Sequence, residues 1–216
     1  MRKYINRHEA GTVLAEVLRG YHGKSNVIVL ALPRGGVPVA YEVATALQVP
    51  LDVYIVRKLG VPGHHELAMG AIAQGGATIF NQDIINMCCI TQNEIDAVIE
   101  SENAELMRRE TAYRGKRAFP SLSDKIVILI DDGIATGATM KAAIAAIRQQ
   151  KPMQIIAAVP VADQRVKTLI EPLVDAFVCP LVVANLRSVG LWYDDFSQTE
   201  DAEVMGLLGK AAKANN

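Results

Sequence analysis

The sequence predicts an α/β fold: a mostly parallel central sheet with helices on both faces, plus a small hood or insertion. Three observations predict it. Apolar runs of strand length at 26–32, 125–130 and 154–159 are what strands buried on both faces require. Stretches with helical apolar spacing, at 7–18, 37–47 and 137–149, alternate with those runs. Half of the 216 residues are hydrophobic, ample for one core.

The elements follow in order. Ala10, Val13, Leu14 and Val17 place one apolar face on a helix over 7–18. Residues 26–32 read as a strand, broken by Pro33, Arg34, Gly35 and Gly36, and 37–47 as a helix. A second strand is expected over 51–56. Residues 60–80 hold five glycines and read as loop, a short strand at 67–72, a turn at Gly75 and Gly76, and another short strand at 77–80. Thr91 and Glu94 form a capping-box signature that opens a helix to about Tyr113, ended by Gly115 and Pro120. The central strand is 125–130 and its helix 137–149. Strand 154–159, helix 163–169, strand 174–179 and a helix over 199–212 complete the chain. Residues 1–216 are expected to form one domain, with 60–120 inserted over the site and 180–200 as a second cover, or hood.

Composition removes several function classes. The net charge is −1, and no basic block or acidic tail occurs, so bulk electrostatics gives no case for nucleic acid or an anionic membrane. The start lacks an apolar signal segment, and no apolar run has the length of a spanning helix, so a cytoplasmic protein is expected. Three cysteines, with Cys88 and Cys89 adjacent, make a poor disulfide framework, and their spacing to His64 and His65 matches no zinc pattern.

The chemistry concentrates in 127–140. Four branched aliphatics, Val127 to Ile130, run into Asp131 and Asp132, followed by Gly133, Ile134, Ala135, Thr136, Gly137, Ala138 and Thr139 and then a helix. Small residues let backbone amides approach an anion, the threonines add hydroxyls, and the helix N-terminus favours negative charge. The carboxylates would repel a phosphate but suit sugar hydroxyls, with a divalent cation nearby. A diol at the strand tip and a phosphate in the loop describe a ribose 5-phosphate. Asp131 and Asp132 alone could simply cap a helix. Two acids, two glycines and two threonines in one short loop go beyond that need. Neither GxGxxG after a strand nor GxxxxGK[ST] occurs.

The segment VILIDDGIATGAT resembles the 5-phosphoribosyl-1-pyrophosphate (PRPP) motif of type I phosphoribosyltransferases. The resemblance implies that Asp131 and Asp132 hold the ribose hydroxyls, with Mg²⁺ at or near them. It implies that Ala135, Thr136, Gly137, Ala138 and Thr139 wrap the 5-phosphate, with Gly133 part of the same turn. LPRGGVPVA is similar to the family's pyrophosphate loop, which implies a strained, often cis, peptide around Arg34–Gly35 and a pyrophosphate held by Arg34, Gly35 and Gly36. Arg57 and Lys58 fall where relatives often carry a cation, and are expected at the same sheet edge as Arg34. Asp131, Asp132, Arg34 and Lys58 form the implied catalytic set. His64, His65 and Glu66 lie where the family carries a mobile loop, and a pair of loop histidines is more often solvated surface. Arg108, Arg109 and Arg114 punctuate the long helix and read as i,i+4 partners of glutamates, as Glu105 and Arg109 are spaced, with a phosphate contact by one of them the alternative. Trp192, Tyr193 and Asp194 loosely resemble a hood segment over the acceptor base, or else anchor the last helix.

The implied reaction is displacement of pyrophosphate from the anomeric carbon by a ring nitrogen, as in nucleotide salvage. Relatives acting on 6-oxopurines commonly place an Asp where this chain has Ala135, which points away from those bases. RKLGVPGHHELAMGA and WYDDFSQTEDAEV extend the resemblance to a bacterial group of predicted phosphoribosyltransferases with no assigned acceptor. A homodimer is expected, as are PRPP and a small acceptor as ligands. Two other readings stay open: a PRPP-sensing protein that has lost turnover, and a phosphoribosyl hydrolase.

Overall fold

The computed structural model describes residues 3–115 and 117–214. The chain runs α1 (Arg7–Val17), β1 (Val27–Ala31), α2 (Gly36–Leu47), β2 (Leu51–Val53), β3 (Val56–Val61), β4 (His64–Ala73), β5 (Thr78–Phe80), α3 (Gln82–Met87) and α4 (Gln92–Arg114). It continues through β6 (Ile126–Ile130), α5 (Ala138–Gln149), β7 (Gln154–Ala158), β8 (Val161–Asp163), α6 (Gln164–Ile170), β9 (Ala176–Val178), β10 (Leu181–Val183) and α7 (Asp201–Ala214).

The central sheet has five strands in the order β2-β1-β6-β7-β9, and all of them pair parallel. Each face of β1 and β6 is buried, which explains their continuous apolar runs. Val27, Val29, Ile126 and Ile128 pack on the side that holds α2 and α7, and Ile28, Leu30, Val127 and Leu129 on the side that holds α5 and α6. Burying an aliphatic side chain of this kind is worth about 1.5–3 kcal/mol. The strand order reverses between β1 and β6: the chain leaves β1 toward β2 on one side and builds β6, β7 and β9 on the other. Ligands bind at such a switch point, beyond the carboxyl ends of the strands.

The remaining strands form two small sheets. β3, β4 and β5 make an antiparallel three-stranded sheet packed on α5, and β8 pairs with β10. The strand expected over 51–56 therefore divides. Its first half stays in the core sheet. After the Tyr54 amide donates to the Ala31 carbonyl, the chain turns out at Ile55, whose carbonyl accepts from the Gln74 amide. Arg57 and Lys58 sit in β3, not at the end of a core strand, which corrects the expected placement. The expected loop at 60–66 is largely strand: β4 reaches back to His64 around a turn where Gly63 takes φ 77°. Local sequence concealed this, because the β3–β4 register is irregular between Leu59 and Val61. The side chains of His65 and Glu66 lie outside the described residues.

Helix α4 begins with the expected capping box, Thr91 and Glu94 bonding reciprocally. α3 was not legible in advance; Asn81 caps it by accepting from the Ile84 amide. Arg108 and Arg109 both pair with Glu105, each at 2.7 Å, and hold its carboxyl down at about 2. Arg114 instead turns inward to the buried Asp52 at 3.3 Å. No helix among the described residues is long and apolar enough to cross a membrane.

Candidate functional site

The acid pair stands at the tip of β6, beside the turn that follows β1. Asp131 Oδ1 accepts from the Asp132 amide at 2.9 Å, and Asp132 Oδ2 accepts from Arg7 Nε at 2.8 Å. Each carboxylate thus has one oxygen engaged. Asp131 Oδ2 and Asp132 Oδ1 receive no hydrogen bond among the described residues. Burial first, and then the charge of Asp132, pushes the Asp131 carboxyl well above the usual carboxylate range. Burial also raises Asp132, with Arg7 opposing it.

The Pro33–Arg34 peptide is cis, one bond before the Arg34–Gly35 position that the resemblance implied. Gly35 and Gly36 are required by contact. A Cβ on Gly35 would stand 2.0 Å from Asp132 Oδ2, and one on Gly36 would stand 2.8 Å from the Ile130 carbonyl. The turn therefore lies directly on the acid pair. The Arg34 and Gly35 amides donate to no protein group among the described residues. The Arg34 guanidinium is turned toward the start of α7, 3.7 Å from Glu200 and 3.8 Å from Asp201.

After the acids the chain is pinned rather than loose. Ile134 bridges to Ala162 of β8, donating to the Val161 carbonyl and accepting from the Asp163 amide. A Cβ on Gly133 would stand 2.6 Å from Val189 Cγ1, so this glycine admits the 189–197 segment against the loop. Gly137, at φ 77°, turns the chain into α5. The amides of Ala135, Thr136, Gly137, Ala138 and Thr139 donate to no protein group among the described residues, and both threonine hydroxyls are likewise unengaged. Consecutive unpaired amides at a helix N-terminus are an anion site in waiting.

Lys58 reaches this region from above. It lines a cavity of about 410 Å³ between the small antiparallel sheet and α5, together with Gly70, Ala138, Thr139 and Lys141. The structure thus brings Lys58 to the phosphate-type loop. Arg57 points elsewhere and pairs with Glu102 of α4 at 2.8 Å.

The hood residues divide. Trp192 is half-buried and Asp194 exposed, at the end of a short 3-10 turn over Val189–Trp192. Tyr193 is buried between the rings of Tyr4 (5.5 Å) and Phe196 (5.0 Å), and its hydroxyl donates to the Asp132 carbonyl at 2.6 Å. It is a strut beneath the acid pair, not a ring open to a base. Burial beside Asp132 holds its phenol neutral.

Sequence reasoning missed Arg7. Its side chain, 11% exposed, bonds Asp132 and the Ser197 carbonyl (2.7 Å) and stacks 3.8 Å from the Phe196 ring centroid. No motif marks a residue that meets its partners 125 and 190 positions away.

No cluster of three or more His, Cys, Asp or Glu side chains among the described residues is placed to hold a metal. The acid pair offers two unclaimed oxygens. That suits a hexacoordinate cation carried in largely by its ligand's own oxygens.

Comparison with known proteins gives the family and the fold. The phosphoribosyl transferase domain model matches residues 5–180. Proteins from two Mycobacterium tuberculosis strains, both provisionally named phosphoribosyl transferase, are 42% identical over 211 residues, covering 98% of this chain and 47% of theirs. The chain spans about half the length of the curated relatives it matches. The crystal structure of TT1426 from Thermus thermophilus superposes with a TM-score of 0.84 at 35% identity, over 97% of this chain and 99% of that one. The structure of AQ2163 from Aquifex aeolicus, at 12% identity and a TM-score of 0.52 over 85% of this chain and 78% of that one, shares the fold. The chain belongs to the phosphoribosyl transferase domain family.

Proposed function

We propose that the protein transfers the phosphoribosyl group of PRPP to a nitrogen acceptor and releases pyrophosphate. The observation that carries this reading is the adjacency of two half-engaged carboxylates to five unpaired amides. The first set suits a vicinal diol and the second a phosphate monoester, at the spacing of one short loop. Asp131 and Asp132 bind the ribose hydroxyls. Residues 135–139 hold the 5-phosphate, with Lys58 over them. The open amides of Arg34 and Gly35, the small Gly36 and the Arg34 guanidinium receive the pyrophosphate, with Arg57 available once it leaves Glu102.

Mg²⁺ fits this donor set: Asp131 and Asp132 would hold it along with oxygens of the donor. Its chemistry there is to offset charge on the departing polyanion.

A ring nitrogen attacks the anomeric carbon, and the bonding pair of the carbon–oxygen link leaves with the pyrophosphate. The transition state resembles an oxocarbenium ion, so the protein contributes positioning and charge stabilisation, not a covalent intermediate. The β3–β4 hairpin limits water, which would otherwise hydrolyse the donor. Ala135 offers no proton-transferring group to the acceptor, which supports an acceptor other than a 6-oxopurine.

The test is incubation with PRPP, Mg²⁺ and a pooled set of nucleobases, following pyrophosphate and new nucleotides by mass. Base-dependent pyrophosphate release with a matching nucleotide is the expected result. Donor binding with no product from any base would move the reading to a sensor. Pyrophosphate release without a base would move it to a hydrolase.

A further inference from the structure

Arg7 occupies a place that local physics disfavours. It is the first residue of α1, where the helix dipole repels a cation, and its side chain is almost withdrawn from water. What compensates is distributed over three parts of the chain. Asp132 takes Nε, the Ser197 carbonyl takes Nη1, and Phe196 covers the guanidinium plane. A Cβ on Gly35 would also stand 3.3 Å from Arg7 Nε, so the guanidinium touches the 33–36 turn.

The segment that holds Arg7 is itself tied to the chain just before it. The Tyr4 amide donates to the Trp192 carbonyl, while the Asp194 and Asp195 amides donate to the carbonyls of Tyr4 and Ile5. Tyr193 supports the Asp132 backbone from below. Asp132 is therefore the one acid of the pair whose side chain and backbone are both held by groups bonded to residues 193–197.

We propose that Arg7 is a positioning residue: it fixes the Asp132 carboxylate so that Oδ1 faces the ribose, and it makes that orientation depend on the Tyr193–Ser197 segment. The inference rests on the donor-site reading above. A displacement of Phe196 would be felt at the ribose through one guanidinium.

The experiment compares the affinities of the full chain for ribose 5-phosphate and for inorganic phosphate by calorimetry at neutral pH. Their ratio isolates the ribose contribution. In Arg7→Gln the ratio should fall about tenfold or more, because the Asp132 carboxylate loses the bond that orients it. Affinity for inorganic phosphate should not change. Arg7→Lys, which returns a cation to the same place, should recover part of the ratio. Phe196→Leu, which keeps the cation and removes its cover, should lower the ratio in the same direction and decides the matter if Arg7→Gln does not fold. An unchanged ratio in both Arg7→Gln and Phe196→Leu, or an equal loss of affinity for both ligands, would overturn the proposal while leaving the donor site standing. A wild-type protein that binds ribose 5-phosphate no better than phosphate would sink the donor-site reading, and this inference with it.

Discussion

The Nη1 atom of Arg34 lies 3.7 Å from the Glu200 carboxylate, so the guanidinium proposed to meet a pyrophosphate is turned toward the start of α7. The pair is partly exposed and long, the class of contact worth about 0.2–1 kcal/mol. Glu200→Gln should therefore loosen Arg34, which then keeps only Asp201 at 3.8 Å, and tighten pyrophosphate binding by up to about fivefold. Calorimetry with magnesium pyrophosphate reads this directly. Weaker binding would mean that Glu200 aims Arg34 rather than withholding it.

Asp131→Asn combined with Asp132→Asn should abolish PRPP binding and keep the fold. The side-chain amide introduced by the first substitution can still accept, through its oxygen, from the backbone N–H of the next residue, and the oxygen of the second can still accept from Arg7, which loses its counter-charge but keeps the Ser197 carbonyl. Circular dichroism and calorimetry on one preparation test both halves. Unchanged PRPP affinity would refute the ribose role.

The same pair predicts a pH dependence of stability. Burial and Asp132 raise the Asp131 carboxyl on folding. A raised acid keeps its proton in the folded state where the unfolded chain has released it, so stability falls as pH rises above about 4. Asp131→Asn lacks that proton. Its advantage in Tm over the wild type should grow from about pH 4 toward neutrality. An advantage that stays constant with pH would argue against the raised carboxyl.

Gly35→Ala drives a methyl onto the part-buried Asp132 carboxylate and against the Arg7 guanidinium that holds it. Overpacking of this kind costs about 1–3 kcal/mol. The variant should lose stability in urea and lose ribose 5-phosphate binding together. Wild-type behaviour in both would mean that the turn relaxes away from the acids at no cost.

Far from the site, Arg114→Ala should cost about 3–5 kcal/mol, the range for stranding a buried partner. It leaves Asp52 buried without its cation and removes the bond from Arg114 Nη2 to the Val53 carbonyl. Urea unfolding measures the loss. A change below about 1 kcal/mol would place Asp52 in contact with water.

Much of the architecture was legible in the sequence because its signals are local. Core strands buried on both faces must be apolar throughout, so Val127 to Ile130 announces itself, and the Thr91–Glu94 capping box reads as it folds. The acid pair and the following loop were legible for the same reason: a strand tip, a phosphate-type turn and a helix N-terminus are contiguous in the chain. Signals fail where the partner is remote. Arg57 and Lys58 look like one cationic pair. Their alternation along β3 sends one to Glu102 and the other to the cavity beside Thr139.

By itself, then, the sequence determined the parallel core, the acid tip and the loop that follows it, since propensity, burial and turn chemistry act over a few residues. Only the tertiary structure decided what surrounds them. Gly133 is required by Val189, Gly35 by Asp132, and Arg7 by Asp132 and Phe196. Those requirements come from close packing between segments far apart in the chain, and no local pattern encodes a distance across the fold.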